Sequence, residues 1–115
     1  MTYDDVAAMV ASIGLPYCYY EFEEDPLNPP PAPPFVAYYY TADDDFKADD
    51  VNYAQINQLT VELYMDEKDF ALEQTVRDIL TAHGLAFSWS QVYVNEEHMY
   101  MTIYTMEVCI TNGRE

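Results

Sequence analysis

Apolar and polar residues alternate along this chain with two different periods, and the switches between them mark out seven elements. Val6, Met9, Val10 and Ile13 recur at helical spacing, which predicts an amphipathic helix from about Tyr3 to Ile13. Thr2 can cap it with Asp5 three residues on, and Gly14 ahead of Leu15-Pro16 ends it. From Tyr17 to Glu23 the period drops to two, with Cys18, Tyr20 and Phe22 on one face and Tyr17, Tyr19, Glu21 and Glu23 on the other. Phe35 to Thr41 and Tyr53 to Met65 are further strands; in the second, Leu59, Val61, Leu63 and Met65 alternate with Thr60, Glu62 and Tyr64. Asp66 is placed to cap a second helix from Glu67 to about Ala82, whose apolar stripe is Leu72, Val76, Ile79, Leu80 and His83 and whose stop is Gly84. Phe87 to Val94 and Met99 to Ile110 form a closing hairpin around Asn95-Glu96-Glu97-His98. Its second strand is apolar on both faces, with Met99, Met101 and Ile103 on one and Tyr100, Tyr104, Met106 and Val108 on the other, as a covered central strand would be.

The order α-β-β-β-α-β-β, with mostly hairpin-compatible connections, predicts an α+β fold: an antiparallel sheet, mixed pairing left open, with both helices packed on one face. Six of the seven prolines fall in 24–34, which reads as an extended connector. Pro29 to Pro34 could also be a ligand for a proline-binding module, but a segment held between two strands is rarely free to be gripped. Ala42 to Val51 carries five aspartates around Phe46 and Lys47, a charge density that predicts a solvated hairpin tip. Its long flanking strands suggest that the tip projects beyond the sheet. A length of 115 residues has room for a single domain, spanning 1–115.

Charge narrows the function classes. Four Lys and Arg against 21 Asp and Glu leave a formal charge of −17, and Lys47, Lys68, Arg77 and Arg114 cannot neutralise many phosphates. Binding to nucleic acid or to anionic membrane surfaces is disfavoured, and no apolar run approaches membrane-spanning length. The start of the chain holds Asp4 and Asp5 and reads as a helix rather than a signal peptide. Leu, Ile, Val and Phe make up about 23% of residues, and with twelve Tyr and six Met they suffice for a core. Cys18 and Cys109 read as small buried hydrophobes in a reduced cytoplasm, with a disulfide left open.

Candidate chemistry is sparse, and neither a catalytic residue nor a cofactor is implied. His83 and His98 have no Cys or Ser partner at an interpretable spacing. Glu96, Glu97 and His98 could bind a metal, but consecutive turn residues point in different directions, which favours a solvated turn. Asp43, Asp44, Asp45, Asp49 and Asp50 lack the alternation and the closing glutamate of a calcium loop. Carboxylate pairs for glycoside hydrolysis exist in number, as in any acidic chain, without a cleft-forming architecture. Tyr17-Cys18-Tyr19-Tyr20 and Tyr38-Tyr39-Tyr40 could stack bases only beside a basic groove, which this chain cannot supply. Tyrosine does suit a surface covered by a neighbouring subunit, and Tyr38, Tyr39, Tyr40, Tyr64, Tyr100 and Tyr104 are the candidates for such a contact.

The run Leu59-Thr60-Val61-Glu62-Leu63-Tyr64, followed by Lys68-Asp69, Glu73, Val76, Leu80, Gly84-Leu85 and Glu97-His98-Met99, resembles tail terminator (tail completion) proteins of long-tailed bacteriophages. Pro33-Pro34-Phe35-Val36 and the short amino-terminal helix fit the same pattern, so the resemblance covers nearly the whole chain. It implies a non-enzymatic subunit of a ring, usually a hexamer, at the head–tail junction of a virion assembled in a bacterial host. Its implied partners are further copies of itself, the tail tube protein and the head–tail connector protein. The acidic tip, Asp43, Asp44, Asp45, Asp49 and Asp50, would then lie toward the tube or its lumen.

Simple geometry is compatible with that role. A compact domain of this length has a radius of gyration of about 13 Å and an equivalent radius of about 17 Å; six such spheres in contact leave a hole about 34 Å across, open to double-stranded DNA. The ring would carry −102 formal charges, six times −17, and acids lining the hole would let DNA pass without binding it. Like-charged subunits should meet through apolar, tyrosine-rich or strand-edge contacts. The rival reading is an acidic DNA mimic that inhibits a DNA-binding or defence enzyme, which needs carboxylates along one outer face at phosphate-like spacing. An adaptor presenting an acidic patch to a basic partner is a third class.

Overall fold

The computed structural model describes residues 1–22, 27, 29–43 and 55–111. Two helices and five strands follow one another as α1 (Tyr3–Ala11), β1 (Tyr17–Tyr19), β2 (Phe35–Asp43), β3 (Gln55–Met65), α2 (Phe70–Ala82), β4 (Phe87–Val94) and β5 (Met99–Ile110). The class is α+β and the element order is the one the pattern predicts; β4 and β5 have the expected bounds.

Local chemistry explains the ends of both helices. The Thr2 hydroxyl accepts from the Asp5 N–H at 3.1 Å while the Asp5 carboxylate accepts from the Thr2 N–H at 2.9 Å, a reciprocal cap. α1 ends two residues earlier than expected: the Ser12 hydroxyl turns back onto the Met9 carbonyl, and Gly14 takes the left-handed φ of 89° that stops the helix. α2 starts three residues later than expected. The Asp66 carboxylate is occupied by the neighbouring Glu67 N–H at 2.9 Å, and Asp69, with an extended backbone, caps the helix through the Leu72 N–H at 3.0 Å.

The sheet runs β1-β2-β3-β5-β4 and is mixed. β2, β3, β5 and β4 pair antiparallel, whereas β1 lies parallel to β2 with Tyr17 beside Val36. The fifteen residues between Tyr19 and Phe35 account for this, since a parallel neighbour needs a return connection of a dozen or more residues. β1 is also shorter than expected; it ends at Tyr20, whose φ of 72° turns the chain out of the ladder. β2 is longer than expected and takes in Ala42 and Asp43 after a register shift at Tyr40, so Asp43 pairs with Asn57 instead of belonging to the tip.

Alternation sorts the sheet into two faces. Val36 and Tyr38 of β2, Leu59, Val61, Leu63 and Met65 of β3, and Tyr104, Met106, Val108 and Ile110 of β5 join Val6, Met9 and Val10 of α1 and Val76 and Leu80 of α2 in one core. Both helices therefore cover the same face. Glu73 of α2 is buried there, where it accepts from Lys68 Nζ at 2.7 Å and from the Thr102 hydroxyl at 2.5 Å. Both bonds end on Oε2, and the charge is tolerated because Lys68 supplies a counter-ion where the carboxylate enters the core.

Candidate subunit interface

The opposite face of the sheet carries no helix among the described residues; Thr60, Glu62, Ser88, Ser90, Thr105 and Glu107 stand on it, but one end of it is aromatic and apolar. Strand register aligns Phe35 with Tyr64, Tyr64 with Met101 and Met101 with Val92 across β2, β3, β5 and β4. The rings of Phe35 and Tyr64 stack at 4.9 Å, Phe22 meets Phe35 at 5.3 Å, and Tyr20 meets Tyr39 at 5.0 Å. At the centre of this belt Glu62 accepts hydrogen bonds from the hydroxyls of Tyr39 and Tyr64, both at 2.7 Å. That bond holds the Tyr39 phenol up to about 12, and burial followed by the Glu62 bond pushes Tyr64 up as well.

The six tyrosines expected at subunit contacts divide between the two faces, because neighbours in a strand must point opposite ways. Tyr39 and Tyr64 lie on the uncovered face. Tyr38 and Tyr104 belong to the core; Tyr104 has no exposed surface, and its hydroxyl donates to the Glu73 carbonyl at 3.3 Å. Burial, reinforced by nearby Glu73, raises its phenol to about 12. Tyr104 thus offers nothing to a neighbour, which corrects the expectation. Tyr40 packs on the helix side, 5.3 Å from the Tyr3 ring, and Tyr100 pairs with Tyr93 at 4.9 Å while leaning on the core.

A cleft of about 430 Å³ opens between α1, β1, β2 and β3, lined by Tyr3, Tyr19, Tyr38, Tyr40 and Asn57. Asn57 is 2% exposed and its Nδ2 donates to the Tyr3 hydroxyl at 3.4 Å; its Oδ1 and the Tyr40 hydroxyl have no hydrogen-bond partner among the described residues. Of the acidic tip, Asp43 ends β2, and Asp44, Asp45, Asp49 and Asp50 lie outside the described residues.

The residues that the sequence reading missed are those on the sheet edges. Trp89, Val92 and Tyr93 of β4 and Tyr17, Tyr19 and Tyr20 at β1 are 43–63% exposed. The Arg77 guanidinium lies 4.7 Å over the Trp89 ring, tying α2 to β4. A signal was present: Phe87 to Val94 has eight residues and no charge, in a chain that is 22% charged.

These features define an α+β domain whose mixed five-stranded sheet has one helix-covered face and one uncovered face with an aromatic and apolar row at one end. No protein-family model matches the chain, and no curated protein matches it in sequence. Among solved structures, a chain from the virion of a native gene transfer agent particle shares its fold, with a TM-score of 0.55 and 16% identity over 91% of this chain and 85% of that one.

Proposed function

We propose that copies of this chain form a ring, a hexamer, that caps a phage-type tail tube and joins it to the head connector, as a non-enzymatic part of a virion. The observation that carries this reading is the row of aromatic and apolar residues on the uncovered face, where Phe35, Tyr39, Tyr64, Met101 and Val92 stand in a chain of charge −17. So acidic a protein has ample polar residues to solvate a sheet face, and apolar residues kept there mark a contact surface. The shared fold with a chain of a virion particle supports the same reading.

In this assembly the acids of Asp43, Asp44, Asp45, Asp49 and Asp50 face the bore or the tube, and double-stranded DNA passes without being held. The subunit is elongated, 50 × 32 × 23 Å with a radius of gyration of 15.5 Å, so a sphere understates the choices open to it. With the 32 Å dimension along the circumference, six touching copies centre on a circle of that radius, and a radial thickness of 23 Å leaves a hole about 41 Å across. Sedimentation and native mass measurement test the proposal. A concentration-dependent six-fold species is expected; a monomer at every concentration that also blocks a DNA-binding enzyme would establish the DNA-mimic reading instead.

A further inference from the structure

We propose that the two outer edges of the sheet also meet between copies, beside the uncovered face, with β4 of one copy pairing against β1 of the next. The inference rests on the ring reading and names a strand-edge contact within it. β1 and β4 are the ends of the strand order, so neither has a second neighbouring strand among the described residues, although the Tyr19 carbonyl of β1 already accepts from the Glu21 N–H at 2.9 Å. Exposed edges of this kind invite pairing with another chain unless they are blocked by charge, proline or a bulge.

β4 is eight residues long and β1 three, and neither carries a charge or a proline within the strand. Nine large hydrophobic side chains are exposed among the described residues, and six of them sit at these two places: Tyr17, Tyr19, Tyr20, Trp89, Val92 and Tyr93. No Asp, Glu, Lys or Arg occurs in Tyr17–Tyr20 or Phe87–Val94, although the chain carries 25 such residues. Two copies of charge −17 can therefore meet along these edges without opposing carboxylates at close range. A second copy of the chain is the occupant that this neutrality fits, since a basic partner would be drawn to the acids elsewhere.

The flanking charges favour unlike edges. Exposed Glu21 follows β1, and Arg77 stands behind β4 over Trp89. Pairing β4 against β1 joins an edge flanked by an acid to one flanked by a base, which pairing like edges does not. A contact between two different patches is head-to-tail, the kind that a ring requires and that closes into one where the rotation between copies allows.

A complementation experiment decides the matter. Variant one carries Ser90→Glu and Val92→Glu on β4; variant two carries Tyr17→Glu and Tyr19→Glu on β1. Each should be monomeric by sedimentation where the wild type is assembled, and an equimolar mixture should give a one-to-one heterodimer through the two intact edges. A dimer formed by either variant alone, or no heterodimer on mixing, overturns the proposal. Wild-type assembly by both variants overturns it while leaving the ring reading intact, and a wild type that never assembles removes both. Circular dichroism checks that the variants fold. If they do not, a Tyr17→Cys, Gln91→Cys chain in a Cys18→Ser, Cys109→Ser background replaces them: a bis-maleimide should give a ladder of covalent oligomers, and its absence overturns the proposal.

Discussion

Glu62 shows how a single side chain sets the properties of the uncovered face. Its carboxylate accepts from two phenols, and the bond it takes from Tyr39 is the largest cause of that residue's rise from an ordinary value of 10 to about 12. A folded-state value above the unfolded one means that the phenol's contribution to stability is complete below pH 10 and is lost as pH climbs through 12. Tyr64 and Tyr104 shift in the same direction, so the melting temperature should hold steady up to about pH 10 and then fall as tyrosinate absorbance appears. Glu62→Gln should bring the Tyr39 transition down toward 10, assigned by its disappearance in Tyr39→Phe. Tyr104, governed first by burial, should keep its high value. A titration of Tyr39 unmoved by Glu62→Gln would refute the role given to the hydrogen bond.

Among the elements, α2 separates two aspartates that look equally suited to start a helix. Asp69 caps the backbone three residues on, at Leu72, while Asp66 accepts from its immediate neighbour Glu67. Asp69→Ala should therefore cost about 1 kcal/mol, and Asp66→Ala distinctly less, as read from urea denaturation midpoints. Periodicity could place the helix but not choose between the caps, because that choice depends on which residue the chain leaves extended. The parallel pairing of β1 was hidden for a related reason: a connector of fifteen residues allows a hairpin-like return or a crossover, and only contacts with β2 select between them. β4 and β5 were fully legible, since two β-forming runs joined by a short turn pair as a hairpin.

At the level of the whole molecule, the charge of −17 opposes every contact between copies while the sheet invites it. Salt changes that balance, because the Debye length shrinks from about 30 Å at 0.01 M to about 8 Å at 0.15 M. Light scattering should thus show the oligomer growing as salt rises across this range. An oligomer that dissolves instead would mean that ion pairs hold it, contrary to the apolar and strand-edge contact proposed here.

Taken alone, the chain's pattern determined the α+β class, the order of seven elements, the single-sided placement of the helices and the acid excess that argues against phosphate neutralisation. These follow from local periodicity and composition, which a linear string carries in full. Tertiary structure alone decided which tyrosines are core and which are surface, that Glu73 is buried against Thr102 with Lys68 as its counter-ion, and that β1 and β4 form the edges of the sheet. Each of these is a relation between strands or helices far apart in sequence. The face on which a tyrosine stands has meaning only once the sheet has a covered side, and a strand is an edge only by virtue of its neighbours.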